Sequence, residues 1–272
     1  MLRDTNTIIT VDMLTEGIDF VLGQVDSQWI GRKALAVNLS DIAAMAGIPT
    51  AIVVAVALPK SEGIQLAEQL YNGMEPLIRK YALKLAGGDT NTWNNGLVIS
   101  ITVLGRVTPQ GVLQRNGAKP NDKILVTGLL GGSILEHQFL FEPRINEALY
   151  LNEHFDIHAA IDISDGFSLD LYRLSVESGL GATVDEKSIP ISSAAVRLSQ
   201  QTGRTPLEHA LSDGEDFELL LAVPPDEAEK LLTLQPLRER FDVTLYPVAE
   251  LTTELGLRFT DGTVLRPQGF EH

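Results

Sequence analysis

The sequence contains no cysteine. Disulfides, zinc–thiolate centres, iron–sulfur clusters and a cysteine nucleophile are therefore excluded. Long apolar runs are also missing. The longest, Thr50 to Pro59, falls far short of the roughly 20 residues that cross a bilayer. Charges at Arg3, Asp4, Asp12, Glu16 and Asp19 rule out a secretory signal in the opening stretch. The expectation is a cytoplasmic enzyme with no membrane association. Basic residues are scarce as well, 21 Lys and Arg against 36 Asp and Glu, for a net charge of −15. That balance argues against a nucleic-acid partner, whose phosphates demand concentrated positive charge. A small phosphorylated substrate stays open, provided metal ions sit between carboxylates and phosphates.

What is present suffices for one large or two modest cores: 272 residues, 44% of them hydrophobic. Thr7 to Val11 reads as a strand that breaks into Asp12. Helical spacing runs from Trp29 to Met45 and stops at Gly47-Ile48-Pro49. Ala51 to Leu58 suits a buried strand, Ser61 to Tyr81 a helix, Lys84 to Ala86 a short strand, and Leu97 to Val107 another. The polar segment Arg115 to Asp122 marks a boundary, giving domains 1–114 and 115–272. Beyond it, strands are expected at Ile124–Thr127, Ala159–Ile163, Phe217–Val223 and Val243–Tyr246. Helices are expected at Phe167–Glu177 and Asp226–Leu234, and a tight turn at Thr260-Asp261-Gly262-Thr263. This rhythm predicts two α/β domains.

The acidic residues that stand out end apolar strands or sit where helices begin. Asp12 follows Ile8-Ile9-Thr10-Val11, Asp89 follows Gly87-Gly88, Asp162 lies in Ala160-Ile161-Asp162-Ile163, and Asp165 precedes a helix. Asp41 lies on an otherwise apolar helix. Two carboxylates about 4 Å apart repel by roughly 4 kcal/mol at an effective dielectric near 20. A cluster of them calls for cations, and hard oxygen ligands suit Mg²⁺ carrying nucleotide phosphates. The amides of Ser164 to Gly166, at a helix N-terminus, read as anion donors. Taken singly, Asp165 also suits a helix cap, and Gly87-Gly88-Asp89 a turn. Other constellations are poor. The Gly128 to Ser133 loop lacks the lysine of a P-loop, and no Gly-x-Ser-x-Gly elbow or protein-kinase motif set occurs. His154 and His158, without a third ligand, read as ordinary surface histidines.

In order along the chain come Thr10-Val11-Asp12-Met13-Leu14-Thr15-Glu16-Gly17, Lys33 to Met45, Gly87-Gly88-Asp89-Thr90 and Arg115-Asn116-Gly117-Ala118-Lys119-Pro120. Ile161-Asp162-Ile163-Ser164-Asp165-Gly166 and Gly214-Glu215-Asp216-Phe217-Glu218-Leu219 follow. Together these resemble the thiamine-monophosphate kinase family, within the superfamily of aminoimidazole ribonucleotide synthetase and selenophosphate synthetase. The resemblance implies a two-domain α/β (α+β) fold whose N-terminal strands form a barrel across a homodimer. It also implies Mg²⁺-dependent transfer of the γ-phosphoryl group of ATP to thiamine monophosphate. Thr10, Val11 (through its backbone), Asp12, Asp41, Asp89, Asp162 and Asp165 match metal positions, with Asp12, Asp89 and Asp165 central to catalysis. Tyr71, Gly88, Asp89, Arg115 and Ser164 match nucleotide positions. Asp19, Glu215 and Phe270 fall on the substrate side. An acceptor that is already an ionised phosphate needs no strong general base, which suits the lack of a Ser, Cys or His nucleophile.

The family's pattern is not matched throughout. Its Gly-Asp-Asp stretch before the first strand lies upstream of Met1, Asp19 stands where a His is usual, and Val11 replaces a Thr. These departures imply a weak kinase that upstream residues would restore. The alternatives are a superfamily ligase acting on an amide oxygen, and a nucleotide-binding homologue with little turnover. Gly214 to Leu219 and the terminal Gly269-Phe270-Glu271-His272 favour the kinase over the ligase. Selenophosphate synthetase and the hydrogenase-maturation relatives would each be expected to need a cysteine.

Overall fold

The computed structural model describes residues 6–61 and 63–270. In chain order its elements are β1 (Thr7–Thr15), α1 (Ser27–Ala44), β2 (Ile48–Pro59), α2 (Gly63–Lys80), β3 (Lys84–Trp93), β4 (Val98–Arg106), β5 (Lys123–Thr127), α3 (His137–Leu140), α4 (Ile145–His154) and β6 (Ala159–Asp162). There follow α5 (Phe167–Glu177), β7 (Gly181–Val184), α6 (Ser193–Thr202), α7 (Pro206–Ser212), β8 (Leu219–Val223), α8 (Pro225–Leu234), α9 (Pro236–Phe241), β9 (Leu245–Thr252), β10 (Gly256–Phe259) and β11 (Val264–Leu265). The chain divides into two compact units. One comprises Met1–Ile42, Gly47–Gly111 and Phe139–Ile145, and the other Ala43–Ala46, Val112–Gln138 and Asn146–His272.

In the first unit a sheet of order β1-β4-β2-β3 is antiparallel except for the β2–β3 pair. Alternation along β4 sends Ile99, Ile101 and Val103 into the core. The α2 helix buries Leu66, Leu70, Met74 and Leu77, a stripe at helical spacing. It crosses α1 in backbone contact: a Cβ on Gly31 would stand 2.0 Å from the Leu70 carbonyl, and one on Gly73 1.8 Å from that of Gln28. The β1 residues Ile9, Val11 and Met13 are exposed, as is Val53 of β2, and every residue of β3 is exposed.

The second unit is built on a sheet of order β11-β10-β7-β9-β5-β8-β6, in which only β10 and β7 run parallel. Strand β8, between β5 and β6, is buried at every position. Phe167, Leu171 and Leu174 of α5 pack with Ile124, Val126 and Leu220 in its core. Each such side chain contributes about 1.5–3 kcal/mol by leaving water. The expected turn at 260–263 joins β10 to β11, with Gly262 in the left-handed region.

The strand ends differ from expectation where it matters for function. Pairing with β4 carries β1 through Thr15, so Asp12 lies within a strand and does not close it. β3 likewise runs through Gly87-Gly88-Asp89 to Trp93, held by β2. Because both sheets are largely antiparallel, the parallel-sheet rule that gathers ligands beyond strand ends does not apply here.

Candidate active site

In the first unit, Thr10 and Asp12 share one face of β1, and α1 supplies Asn38 and Asp41. The Thr10 hydroxyl donates to the Asp41 carboxylate in a short contact. The Asp12 amide donates to Asn38 Oδ1 at 3.1 Å, and Ser100 Oγ donates to the Asp12 carbonyl at 3.0 Å. Burial pushes the Asp12 carboxyl up to about 7, and the charges of Asp41 and then Asp19 push in the same direction. Asp19 itself serves locally: its Oδ2 accepts the Thr15 amide at 2.6 Å, closing the loop after β1, and its carbonyl accepts from the buried Lys33.

Tyr71, Gly88 and Asp89 meet at a pocket of about 470 Å³ between α2 and the β2–β3 edge, also lined by Val54, Leu70 and Met74. A bulge shapes this edge, since Ile52 pairs with Leu85 but Val53 with Gly87, leaving Ala86 without an opposite number. Gly88 is required by close approach, because a Cβ there would lie 2.0 Å from the Val54 carbonyl. Asp89 follows it, exposed, at the pocket rim.

In the second unit the hub is the loop after β6. Asp162, buried, ends that strand, and Ser164 and Asp165 are partly exposed. The Glu215 amide donates to the Ser164 carbonyl at 2.7 Å, and the Phe270 amide donates to that of Asp165 at 2.9 Å. Ser164, Asp165, Glu215 and Phe270 are thus brought together by backbone bonds, with Glu215 held at a positive φ. Glu271 and His272, which follow Phe270, lie outside the described residues. Arg115 is not brought to this loop by its backbone. Its carbonyl accepts from Ser178, just past the far end of α5, about 16 Å along the helix at 1.5 Å per residue.

One expectation is overturned. The amides of Ser164, Asp165 and Gly166 are not free for a ligand, because the Oδ2 atom of Asp170 accepts all three, at 3.1, 2.9 and 3.1 Å. Its Oδ1 accepts Arg173 Nη1 at 2.8 Å, and the same nitrogen donates to Asp165 Oδ2 in a shorter contact. Nor does Asp165 cap α5; that place falls to Gly166, with no side-chain cap. Burial pushes Asp170 up to about 6 against the pull of the loop amides and Arg173. Asp170 shares with Asp41 the one signal legible in the sequence, a carboxylate inside an apolar helix.

The acidic segment Asp213–Glu218 braces the glycine-rich loop after β5. Asp216 Oδ1 accepts the Gly131 amide, Asp213 Oδ2 that of Gly132, and Glu218 Oε2 the Thr127 hydroxyl. That loop is scaffold. Among the described residues no three of His, Cys, Asp and Glu are placed to hold a metal ion by themselves. A magnesium ion, which uses one or two carboxylates and fills its other positions with water and phosphate oxygen, does not require three.

Residues 1–107 match the N-terminal domain of the AIR synthase related proteins, and residues 112–254 match the C-terminal domain. The class is thereby defined: the chain belongs to the AIR synthase related family. Within it, the branch is that of the thiamine-monophosphate kinases. The chain is 46% identical to the thiamine-monophosphate kinase of Rhodopirellula baltica over 221 residues, covering 81% of this chain and 69% of that protein. It is 33% identical to that of Bacillus subtilis over 245 residues, covering 82% and 74%. The crystal structure of thiamine-monophosphate kinase from Stenotrophomonas maltophilia K279a superposes with a TM-score of 0.84 at 31% identity, over 95% of this chain and 86% of that one. AaThiL complexed with AMPPCP and TMP also superposes at 0.84, over 98% and 87%; at 24% identity this likeness speaks for the fold alone.

Proposed function

We infer that the chain uses ATP and Mg²⁺ to phosphorylate thiamine monophosphate to thiamine diphosphate. The observation that carries this reading is the second unit's hub, where Asp165, Glu215 and Phe270 are tied to one loop. Phe270 offers a half-exposed aromatic face, and Glu215 a partly exposed carboxylate. That pair suits a flat, cationic heteroaromatic ring, which stacks on the one and is charge-paired by the other. Relatedness to the thiamine-monophosphate kinases supports the same acceptor.

In the first unit, the apolar wall of the Tyr71–Gly88–Asp89 pocket suits a nucleotide base, and Asp89 at its rim faces the phosphate side. In the second unit, Ser164 and Arg115 are the residues at the nucleotide positions that the resemblance implies. The donor set fits a hard cation. In the first unit, the Thr10 hydroxyl, the Val11 carbonyl and the carboxylates of Asp12, Asp41 and Asp89 are oxygen ligands, and the charges acting on Asp12 leave it in want of positive charge; in the second unit, Asp162 and Asp165 offer the same kind of donor. When bound, Mg²⁺ would supply the charge that offsets repulsion between donor and acceptor phosphates. The residues' own work is to hold both phosphates in line; the acceptor oxygen is already ionised, so none of them has to remove a proton. The exposed apolar face of β1 and β2 and the open β3 edge fit burial against a second copy of the chain. The lack of cysteine suits a cytoplasmic setting.

The test is formation of thiamine diphosphate from thiamine monophosphate and MgATP, paired with calorimetry of Asp89→Asn. The variant should stay folded and bind MgATP at least tenfold more weakly. Unchanged affinity in a folded Asp89→Asn chain would remove Asp89 from the site.

A further inference from the structure

Arg173 has no role in the reading above, yet it is the cation bonded to the metal-position carboxylate Asp165. One nitrogen, Nη1, serves both Asp165 and Asp170. The two acids differ in freedom. The Asp170 side chain is 0% exposed, whereas that of Asp165 is 15% exposed and that of Arg173 36%. With one oxygen on three amides and the other on Arg173, Asp170 has its acceptor sites engaged by a rigid loop and is not available to a ligand. Asp165 has its carbonyl tied to Phe270, and its carboxylate is bonded to Arg173.

We propose that Arg173 is the resident counter-cation of Asp165, a positioning residue that competes with the divalent cation for that carboxylate and is retained by Asp170 when the cation takes its place. The proposal rests on the reading of Asp165 as a metal ligand. A metal approaching Asp165 must displace a guanidinium already bonded there, which weakens metal binding. The guanidinium does not then have to return wholly to water, because Asp170 Oδ1 keeps its hold 2.8 Å away. The exchange therefore swaps one charge-assisted contact for another and leaves the loop amides where they are. In the metal-free chain the same contact keeps Asp165 aimed and its charge balanced.

The experiment is titration of the intact chain with Mn²⁺ alone, free ion being read by its paramagnetic resonance signal. Asp165→Asn identifies the site in question by weakening it. At that site Arg173→Met should bind Mn²⁺ roughly five- to tenfold more tightly than the unaltered chain, the size expected for removing one partly exposed competing charge. Arg173→Lys, which keeps the charge, should stay within about twofold. A residue that merely shaped the loop would give the opposite sign, weaker binding on removal. Should Arg173→Met fail to fold, the Arg173 Nε–H resonance of the unaltered chain, assigned with Arg173→Lys, is the second measurement; it should shift as Mg²⁺ saturates the site. Equal or weaker Mn²⁺ binding by folded Arg173→Met, or a resonance indifferent to saturating Mg²⁺, overturns the counter-cation role. If Asp165→Asn binds Mn²⁺ as the unaltered chain does, Asp165 is no ligand, and the underlying reading falls with the proposal.

Discussion

The two units treat crowded carboxylates in opposite ways. In the second, Asp170 is surrounded by donors: three consecutive amides on one oxygen and Arg173 on the other. In the first, burial, Asp41 and Asp19 all act on Asp12 in the direction that disfavours its charge. Both arrangements put carboxylates in sparsely solvated places. Only at Asp170 has the fold supplied the compensation itself, and such a group is structural. An acid that the fold leaves uncompensated and open to solvent, as Asp12 is in part, is a candidate place for a ligand that brings the missing charge.

The contrast is broken most directly by removing each acid. Asp170→Ala leaves three buried or half-buried amides without an acceptor and Arg173 without its second partner, so a loss of about 3–5 kcal/mol is expected. Denaturant melts at pH 7.5 check this; a loss below about 1 kcal/mol would mean that the loop finds other acceptors. Asp12→Asn should do the reverse in metal-free buffer. The folded-state value of Asp12, about 7, lies above the unfolded value of 3.8, so the native state holds this proton more tightly. Stability tied to it is full below the unfolded value and is lost as pH rises from about 4 to about 7. The amide variant does not suffer that loss. At pH 8, with a chelator present, it should therefore be more stable than the unaltered chain by about 3 kcal/mol, the full linkage of about 4 being reduced by solvent screening of this partly exposed group, a margin that closes as pH falls toward 4. An equal or lower melting temperature at pH 8 would refute the idea that Asp12 is left uncompensated.

Much of the fold was legible because its signals are local. The α2 stripe of Leu66, Leu70 and Leu77, the apolar run of β2 and the alternation of β4 each announce their element. What escaped depends on partners. Gly87-Gly88 reads as a turn, but parallel pairing to β2 across a bulge keeps it in a strand. Asp12 reads as a strand end until nine β4 partners extend β1 past it to Thr15. Helix α7 has a readable start in Thr205-Pro206 with Glu208, a capping box, though it lies outside the elements expected from periodicity. At the site, the oddity of Asp41 in an apolar helix was plain from the sequence. That Asp170 turns back onto the loop amides was not, because only the fold says which way a carboxylate on the first turn of α5 faces. For the same reason Asp19, placed on the substrate side by resemblance, gave no hint of its local bond to the Thr15 amide.

Asp216 sharpens the comparison, because it is an uncompensated acid in the second unit. It is fully enclosed; its Oδ1 accepts the Gly131 amide, while Oδ2 has no partner among the described residues. Burial raises its carboxyl well above the ordinary range, and Glu218, Asp213 and Glu215 add to the effect. The sign is that of Asp12: stability associated with its proton is present at acid pH and lost as pH rises toward the folded-state value. Asp216→Asn should therefore gain stability over the unaltered chain as pH climbs from 4 to 8. The gain should be small, about 1 kcal/mol at pH 8, or a few degrees in melting temperature. It is limited because the new amide nitrogen would stand where Oδ2 now lacks a partner and would leave its own donors unsatisfied. A margin that does not change with pH would show that Asp216 is not titrating. Magnesium then separates the two acids. Asp12 is proposed as a ligand and Asp216 is not, so added Mg²⁺ should stabilise the unaltered chain and erase the advantage of Asp12→Asn, while the advantage of Asp216→Asn persists. If Mg²⁺ treats both variants alike, uncompensated charge in this protein does not mark the metal site, and Asp12 loses its claim to be there.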